Sequence, residues 1–286
     1  MEYLMTYGWA ILIIAVVLGA LFQLGVFNGA TFAPKAPPGA CQVFRPNGPG
    51  TAFDLNIEGV CNGELPQFVG FFNGTSSYVN SGSSSNLDLG ASGGSGTISV
   101  WFQTTKTTRE SLVGRINPSD PWQGYILAIS DNSGTQKMAF WSSNGISGYW
   151  NDASSIIVTN GNWHDGVVTF SGSSATFYVD GKQDGTVGIA PVGSYATTLE
   201  IGVSNNQGDF FSGSIANVQI YNSSLTEPEI NALYDEGIGG APIDLQNLVG
   251  WWPLNGNAND YSGYGNDGTS YGIAYSSNWY GSYSAP

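Results

Sequence analysis

The sequence predicts a mainly β protein, in which a long apolar N-terminal α-helix precedes an antiparallel β-sandwich with one short helix. Three observations support this prediction. Residues 1–27 contain one acid, Glu2, and no Lys or Arg. The rest of the chain consists of short alternating segments separated by Gly, Asn, Asp and Pro, as strands and tight turns require. The composition of the whole chain, with 41 Gly, 13% aromatic and only 10% charged residues, suits many short strands.

The apolar N-terminal segment, residues 1–28, is long enough to cross a bilayer. As an α-helix it would extend about 40 Å at ~1.5 Å per residue, whereas a hydrocarbon core is about 30 Å thick. Because no polar side chain recurs along one face, the helix belongs in a membrane or among copies of itself. Ala15 and Gly19 form one small-xxx-small pair that permits close approach of helices. A membrane anchor and the core of a filament are therefore both compatible with the segment.

The sequence MEYLMTYGWAILIIAV in this segment resembles the N-terminal helix of archaeal type IV pilin-like surface proteins. The resemblance implies that Glu2 guides each subunit into a helical homopolymer, and that the apolar helices pack through Ala15 and Gly19 in its core. It also implies insertion in the membrane before assembly and an extracellular cell-surface filament afterwards. The sequence departs from the family at its start, where the basic leader and the small or polar residues before Met-Glu are missing.

Residues 29–67 are predicted to form a Pro/Gly linker and a disulfide-stapled hairpin. Cys41 and Cys61 are the only cysteines in the chain, and a metal site would need more ligands nearby. We therefore expect a disulfide, as is usual in an exported protein. Asn73 and Asn222 begin Asn-X-Ser/Thr sequons and are candidate N-glycosylation sites consistent with export.

Residues 68–286 are predicted to form the sandwich, because strand-like segments and turn signals recur about every 8–12 residues. In TISVWFQT, alternation places three apolar side chains on one face and Trp101 on the other. Asp180 and Gly181 separate two strand-like segments and are typical of a two-residue hairpin turn.

One short helix is predicted after the last long strand of this region. Thr226 and Glu229 form a capping box at its start, and Gly237 provides its C-terminal stop. Its buried stripe is predicted to comprise Ile230, Leu233 and Tyr234. We expect this helix to lie on the sandwich as a lid.

Three segments of this region resemble the laminin-G-like, concanavalin A-like jelly-roll domain: TISVWFQT, NWHDGVVTFSGSSATFYVDGKQDGTV and SGSIANVQIYNSSLTEPEINALY. The resemblance covers roughly residues 68–236 and implies a concanavalin-like antiparallel sandwich. The segment that normally comes first in the family, a Gly-aromatic-Trp strand and an Asp-x-Ser-Gly-x-Gly-Asn turn, lies instead at 248–275. We predict a circular permutation in which this segment fills the first-strand position. A second, truncated domain is the alternative, but about 35 residues cannot bury a second core.

The formal net charge of −14 argues against a nucleic-acid partner. The family resemblance implies that loop oxygens can hold Ca²⁺, and the best oxygen-rich loop contains Asp260, Asn266 and Asp267. The alternative is that Asp260 and Asn266 only hold the turn, by capping backbone N–H groups.

The resemblance also implies glycan or protein partners at the rim of the sandwich. Exposed flat aromatic rings can stack on the apolar faces of pyranose sugars, and four rings are predicted to lie in or beside loops. These candidates for glycan binding are Trp122, Trp141, Tyr149 and Trp150. The alternative is that they plug the ends of the sandwich or pack against neighbouring subunits.

No catalytic residue is predicted. His164 is the only histidine and lies in a family turn beside Trp163, which implies a structural role. Glycosidases need two carboxyl groups about 5–9 Å apart, and no strand carries the paired acids of such enzymes. The sequence therefore predicts a structural subunit of an extracellular pilus-like filament, with heads for adhesion. The alternative is a membrane-anchored carbohydrate-binding adhesin that does not polymerise.

Overall fold

A computed structural model describes residues 65–286 apart from short gaps, together with the backbone of 42–43 and 52–53. The gaps are residues 92–93, 118, 120, 131–135, 154 and 205–207. The backbone of β1 (Gln42–Val43) pairs with that of β2 (Ala52–Phe53) in the region predicted to be a hairpin. The predicted helix over 1–28 and the predicted Cys41–Cys61 disulfide lie outside the described residues.

The main body is a sandwich of two antiparallel sheets, as predicted. Its strands in chain order are β3 Val69–Asn73, β4 Tyr78–Asn80, β5 Ser95–Gln103, β6 Glu110–Ile116, β7 Gln123–Ile129, β8 Met138–Asn144, β9 Gly148–Asp152, β10 Trp163–Ser171, β11 Ser174–Val179, β12 Lys182–Gly188, β13 Leu199–Ile201, β14 Ser212–Tyr221, β15 Leu248–Trp252, β16 Thr269–Tyr271 and β17 Ala274–Ser276. An eight-stranded sheet has the order β12-β11-β10-β5-β14-β3-β17, with β15 also paired to β14. A seven-stranded sheet has the order β16-β4-β13-β6-β7-β8-β9.

The hydrophobic core lies between the two sheets and draws side chains from both. Ile98, Val100 and Phe102 of β5 are fully buried in this core. Trp101 belongs to a separate cluster on the outer face of the eight-stranded sheet. The predicted alternation along this strand is therefore confirmed, and it separates an inner core from an outer layer.

The predicted hairpin turn is also present. Asp180 and Gly181 have φ angles of 52° and 72° and connect β11 to β12. Positive φ at both central residues is the requirement of a type I′ turn, which Asp-Gly meets at low conformational cost.

The segment at 248–275 belongs to the same sandwich. Both β3 and β15 pair with β14, but with different parts of it: β3 with residues 212–215, and β15 with residues 218–221. They therefore follow one another along the same strand, while β16 and β17 extend the edges of the two sheets. Residues 248–275 are thus part of the sandwich; that they fill the family's first-strand position through a circular permutation stays a prediction.

The outer face of the eight-stranded sheet is covered by other parts of the chain. The helix α1 (Glu227–Asp235) begins where predicted, with the Thr226 N–H donating to the Glu229 carboxylate at 2.7 Å. Ile230 and Leu233 are buried beneath it, Tyr234 packs against the cluster around Trp101, and Gly237 follows the helix with a φ of 78°. This confirms the predicted cap, stripe and stop.

The C-terminal tail covers another part of that face. Trp279 is buried against Trp163, with the ring centroids 5.9 Å apart in an edge-to-face arrangement. Its indole N–H donates to the carbonyl of Pro66 at 3.2 Å. A short 3₁₀ turn, Tyr280–Ser282, follows. Another 3₁₀ turn, Ser85–Leu87, lies before β5.

Among the residues that the structure describes, no helix is long and apolar enough to cross a membrane.

Candidate functional site

The outer face of the seven-stranded sheet carries an aromatic surface. Trp141 of β8 and Trp150 of β9 are direct cross-strand partners, so their side chains lie on the same face. Ile126 of β7 is the partner of Trp141 on its other side. Trp141 is only 6% exposed and packs in a small cluster with Ile116, Ile126 and Ala128, apart from the main core. The buried indole thus forms the base of the surface.

Trp122 stands beside this base. Its ring meets that of Trp141 edge-to-face, with centroids 6.4 Å apart and an interplanar angle of 68°. The hydroxyl of Ser143 donates to the carbonyl of Trp122 at 2.6 Å, which fixes the backbone just before β7. With 44% of its surface exposed, Trp122 presents an aromatic surface to solvent from a defined position.

Trp122 and Trp141 line an open depression of about 500 Å³. The β8–β9 hairpin turn forms its other side. The lining residues are Pro121, Trp122, Trp141, Ser143, Gly145, Ile146, Ser147 and Gly148. This volume falls in the range of small-molecule sites, and the lining combines apolar groups with a few polar ones, as such sites do.

Trp150 lies on the same face but in a different environment. The guanidinium carbon of Arg109 lies 5.1 Å from the centroid of its ring, in a cation–π contact. The Nε of Arg109 also donates to the Asp209 carboxylate at 2.8 Å. Trp150 remains 41% exposed, and its cationic neighbour is paired with an acid.

Tyr149, the fourth predicted glycan-binding residue, is separate from the other three. It precedes Trp150 in an extended strand, so its side chain points to the opposite face. Its cross-strand partner is Ser142, whose hydroxyl donates to the carbonyl of Ala190 at 2.6 Å. The structure therefore brings together Trp122, Trp141 and Trp150, but not Tyr149.

Ile146 is the residue of this surface that the sequence analysis missed. It is 93% exposed at the tip of the β8–β9 hairpin and lines the same depression as Trp122. The signal was present in the sequence, because Asn144-Gly145 between two strand-like segments is typical of a hairpin turn. Ile146 directly follows this Asn-Gly pair, so it could have been placed at the exposed tip of the hairpin.

The predicted calcium loop is held together by hydrogen bonds within the protein. One carboxylate oxygen of Asp260 accepts the N–H groups of Trp251 and Ser262, each at 2.9 Å. The other accepts the Ser262 hydroxyl and the Asn266 N–H, each at 2.8 Å. Asp267 accepts the N–H of Asp260 at 2.9 Å.

These bonds engage the carboxylates that were expected to bind Ca²⁺. Both oxygens of Asp260 and one oxygen of Asp267 accept hydrogen bonds from the protein, whereas Ca²⁺ takes six to eight oxygen ligands. Within the described ranges, no three His, Cys, Asp or Glu side chains lie together as a metal site. The geometry matches the turn-holding alternative, and calcium binding stays an unsupported prediction.

His164 has two hydrogen-bonding partners. Its Nδ1 lies 2.8 Å from a carboxylate oxygen of Asp180, and its Nε2 lies 3.1 Å from the side-chain oxygen of Asn160. The other Asp180 oxygen accepts the N–H of Asp165 at 3.0 Å. The imidazole therefore connects β10 to the β11–β12 turn.

The two predicted glycosylation sites differ in exposure. Asn73 is exposed at the end of β3, and its side-chain oxygen accepts the N–H groups of Thr75 and Ser76, each at 2.9 Å. Asn222 is half-buried after β14, and its N–H donates to the carbonyl of Asn247 at 2.9 Å. Glycosylation of either residue stays a prediction.

Two buried carboxyl groups have strongly shifted pKa values, and neither lines the depression. Burial raises the pKa of Glu110 to about 6, although hydrogen bonds from Ser212 and Thr104 lower it. Burial and the nearby charge of Asp180 raise the pKa of Asp165 to about 8. Both are explained by their positions inside the sandwich and under its outer layer.

Comparison with known protein families gives one direct match. The profile of the concanavalin A-like lectin/glucanases superfamily matches residues 73–231, more than half of the chain. The chain belongs to this superfamily. Membership confirms the predicted laminin-G-like, concanavalin A-like fold. The matched range ends before 248–275 and does not test the permutation.

Several solved structures are similar to this chain at low sequence identity. A candidate carbohydrate-binding protein of Bacteroides ovatus is 16% identical with a TM-score of 0.52, over 74% of this chain and 60% of that protein. This chain therefore corresponds to only part of that protein. The CBM40 of a Ruminococcus gnavus IT-sialidase is 18% identical with a TM-score of 0.46, over 59% of this chain and 98% of that one.

A native heptameric SAP-like pentraxin of Limulus polyphemus is 14% identical with a TM-score of 0.46, over 75% of this chain and 91% of that one. At 16% identity, the similarity to the Bacteroides ovatus structure, with its TM-score of 0.52, establishes the fold and not the function. No curated protein matches the chain in sequence. None of these comparisons supports the pilin-type resemblance of the N-terminal segment.

Proposed function

We propose that the sandwich is a lectin-like carbohydrate-binding module whose ligand contacts Trp122, Trp141 and Trp150. The observation that carries this proposal is the difference between the two outer faces. Helix α1 and the C-terminal tail cover the aromatic cluster of the eight-stranded sheet. On the seven-stranded sheet, Trp122 lines the open depression, and Trp150, the cross-strand partner of Trp141, also remains partly exposed to solvent.

The chemistry of this surface suits sugars. A pyranose has C–H groups on its faces and hydroxyl groups around its edge, so it combines an apolar body with polar margins. An indole provides large apolar area for such a face at low conformational cost. The turn at 144–148 adds backbone groups and the Ser147 side chain near the edge of the depression. Trp141, already buried against Ile126, holds the base rigid.

Binding is favoured over hydrolysis by the residues on the same strands. A glycosidase needs two carboxyl groups flanking the scissile bond. Strands β7 and β8 contain no Asp or Glu, and β9 contains only Asp152. Glu110, the acid of the adjoining β6, is buried and accepts hydrogen bonds from Thr104 and Ser212. We therefore propose a module that retains glycans without cleaving them.

The test compares two exposed aromatic residues on opposite faces of the same sheet. Binding of the full-length chain and of the Trp122→Ala and Tyr149→Ala variants is measured on a glycan array and then by calorimetry with the best glycan. Trp122→Ala should weaken binding by about tenfold or more, which corresponds to about 1.4 kcal/mol. Tyr149→Ala should bind like the wild type. Equal affinities for wild type and Trp122→Ala, or no glycan bound at all, would refute the proposal.

The cellular location of the module and its assembly are proposed from the sequence alone. The apolar stretch over residues 1–27 supports a cell-surface protein held in the membrane by this segment. Its resemblance to pilin-like helices supports a second candidate, in which the same segment polymerises through Glu2, Ala15 and Gly19. Electron microscopy of material shed from native cells distinguishes the two: filaments with globular heads would support the polymer, and membrane patches the anchor.

A further inference from the structure

Among the residues that the structure describes, no ionisable side chain lines the depression beside Trp122. These lining residues are aromatic, aliphatic, Pro, Ser and Gly residues. A carboxylated or sulfated sugar in such a place would gain no opposite charge from these side chains in exchange for the water that it displaces. The lining therefore selects against charged ligands.

The surroundings strengthen this selection. Arg109 is the cation that contacts the aromatic surface, and its charge is already paired with Asp209 at 2.8 Å. The chain as a whole has a formal net charge of −14. Such a charge repels polyanions at long range and lowers their association rate. Neither the local nor the overall electrostatics favours an acidic glycan.

The shape of the depression indicates how much of a ligand it contacts. Trp122 and Ile146 both line it, with 44% and 93% of their surfaces exposed, and the depression opens to solvent. A site for a single sugar or a chain end usually encloses most of its ligand. An open surface with two exposed apolar side chains lets a sugar chain continue beyond the residues in contact.

Resting on the carbohydrate-binding function proposed above, we infer that the ligand is an uncharged polysaccharide held along its chain, with Trp122 and Ile146 contacting different sugar residues. The inference deepens the proposed site by assigning its ligand class. Trp122 supplies a rigid aromatic face, and Ile146 supplies a second apolar contact from the hairpin tip.

The first test is affinity electrophoresis of the full-length chain through gels that contain one polysaccharide each. The neutral probes are a β-1,3-glucan, a β-mannan and an α-glucan, and the acidic probes are alginate and polygalacturonate. At least one neutral polymer should retard the wild type, and the acidic polymers should not. Retardation should be unchanged between 0.05 and about 0.5 M salt, because screening weakens only charge-based binding.

The second test asks whether Ile146 contacts the polysaccharide in addition to Trp122. Ile146→Ser removes the apolar side chain from a fully exposed position, so folding should be unaffected, and it should weaken polymer binding by about threefold or more. Ile157→Ser, at an exposed residue outside the depression, is the matched control and should have no effect. Oligosaccharides cut from the retained polymer should compete better as they lengthen, and the monosaccharide should compete poorly.

The outcomes separate this inference from the function on which it rests. If acidic polymers bind and Trp122→Ala abolishes that binding, the carbohydrate function stands and the neutral-ligand inference is overturned. If a monosaccharide competes as well as the oligosaccharides, or Ile146→Ser binds normally, binding along the chain is overturned. If no polymer is retarded, or Trp122→Ala has no effect on retardation, the proposed function itself fails.

Discussion

The carboxylate of Glu110 accepts the backbone N–H of Ser212 at 2.7 Å, a hydrogen bond that joins the two sheets of the sandwich. Glu110 belongs to β6 of the seven-stranded sheet, and Ser212 begins β14 of the eight-stranded sheet. The hydroxyl of Thr104 donates to the same carboxylate at 2.9 Å. The buried Glu110 side chain therefore links the two sheets through its hydrogen bonds.

Glu110 should make stability depend on pH. Burial raises its pKa from the usual 4.5 to about 6 in the folded chain, so the folded state binds the proton more tightly. Its contribution is full below pH 4.5 and is lost as the pH rises through 6, by about 1–2 kcal/mol. Urea unfolding of wild type and Glu110→Gln at several pH values should show a flatter profile in the variant. An unchanged slope would mean that another group titrates.

Asp165 should also make the stability of the fold decline as the pH rises, and over a wider pH range than Glu110. It is fully buried, and its Oδ2 accepts no hydrogen bond from the described residues. Its folded pKa of about 8 lies far above the usual 3.8, so stability declines as the pH rises between these values. Asp165→Asn should be more stable than wild type by a few kcal/mol at pH 7, with a smaller difference at pH 5. A variant less stable at pH 7 would contradict this expectation.

Substitutions of two adjacent aromatic residues can test how much the C-terminal tail contributes to stability. Trp279→Ala removes a buried indole that packs on Trp163 and donates to Pro66, and should cost about 3–5 kcal/mol of unfolding free energy. Tyr280→Ala, at a half-exposed neighbour, should cost less than about 1 kcal/mol. Chemical denaturation measures both. Similar small losses would show that the tail contributes little to the sandwich.

Asn217 combines an unusual backbone with three side-chain hydrogen bonds. Its φ is 48°, its amide donates to the carbonyl of Gly240, and its side-chain oxygen accepts from Trp251 and Gln219. Asn217→Ala should cost about 3 kcal/mol or more, because buried partners lose their bonds and the backbone is strained.

Asn217→Gly separates the two contributions. It loses the same hydrogen bonds but tolerates the positive φ, so it should be about 1 kcal/mol more stable than Asn217→Ala. Thermal unfolding of the two variants gives the comparison. Equal stability would assign the whole effect to the hydrogen bonds.

Local chemistry made several elements predictable from sequence. Asp180-Gly181 fixes its turn because both residues tolerate positive φ, and Thr226 with Glu229 fixes a helix start through contacts three residues apart. The two-residue period of a strand was sufficient to place Trp101 on the outer face. Applied to β9, the same period would have separated Tyr149 from Trp150.

The residues that form the aromatic surface were harder to predict from the sequence, because the surface depends on contacts between residues that are far apart in the chain. Trp141 and Trp150 meet only through the register of the β8–β9 hairpin, and Trp122 joins them from the start of β7. The hydrogen bonds that occupy Asp260 likewise come from the N–H groups of Trp251 and Asn266, which its own sequence neighbourhood does not reveal. Sequence spacing identified the residue types but not their partners.

The position of β3 has a mechanical consequence. β3 is the first strand of the sandwich, it lies between β14 and β17, and Trp279 fastens the chain at Pro66 just before it. A pulling force that reaches the sandwich at residue 65 therefore acts on two hydrogen-bonded ladders and a buried indole together. The entry of the chain into the sandwich is thus fastened by a residue 213 positions further along the sequence.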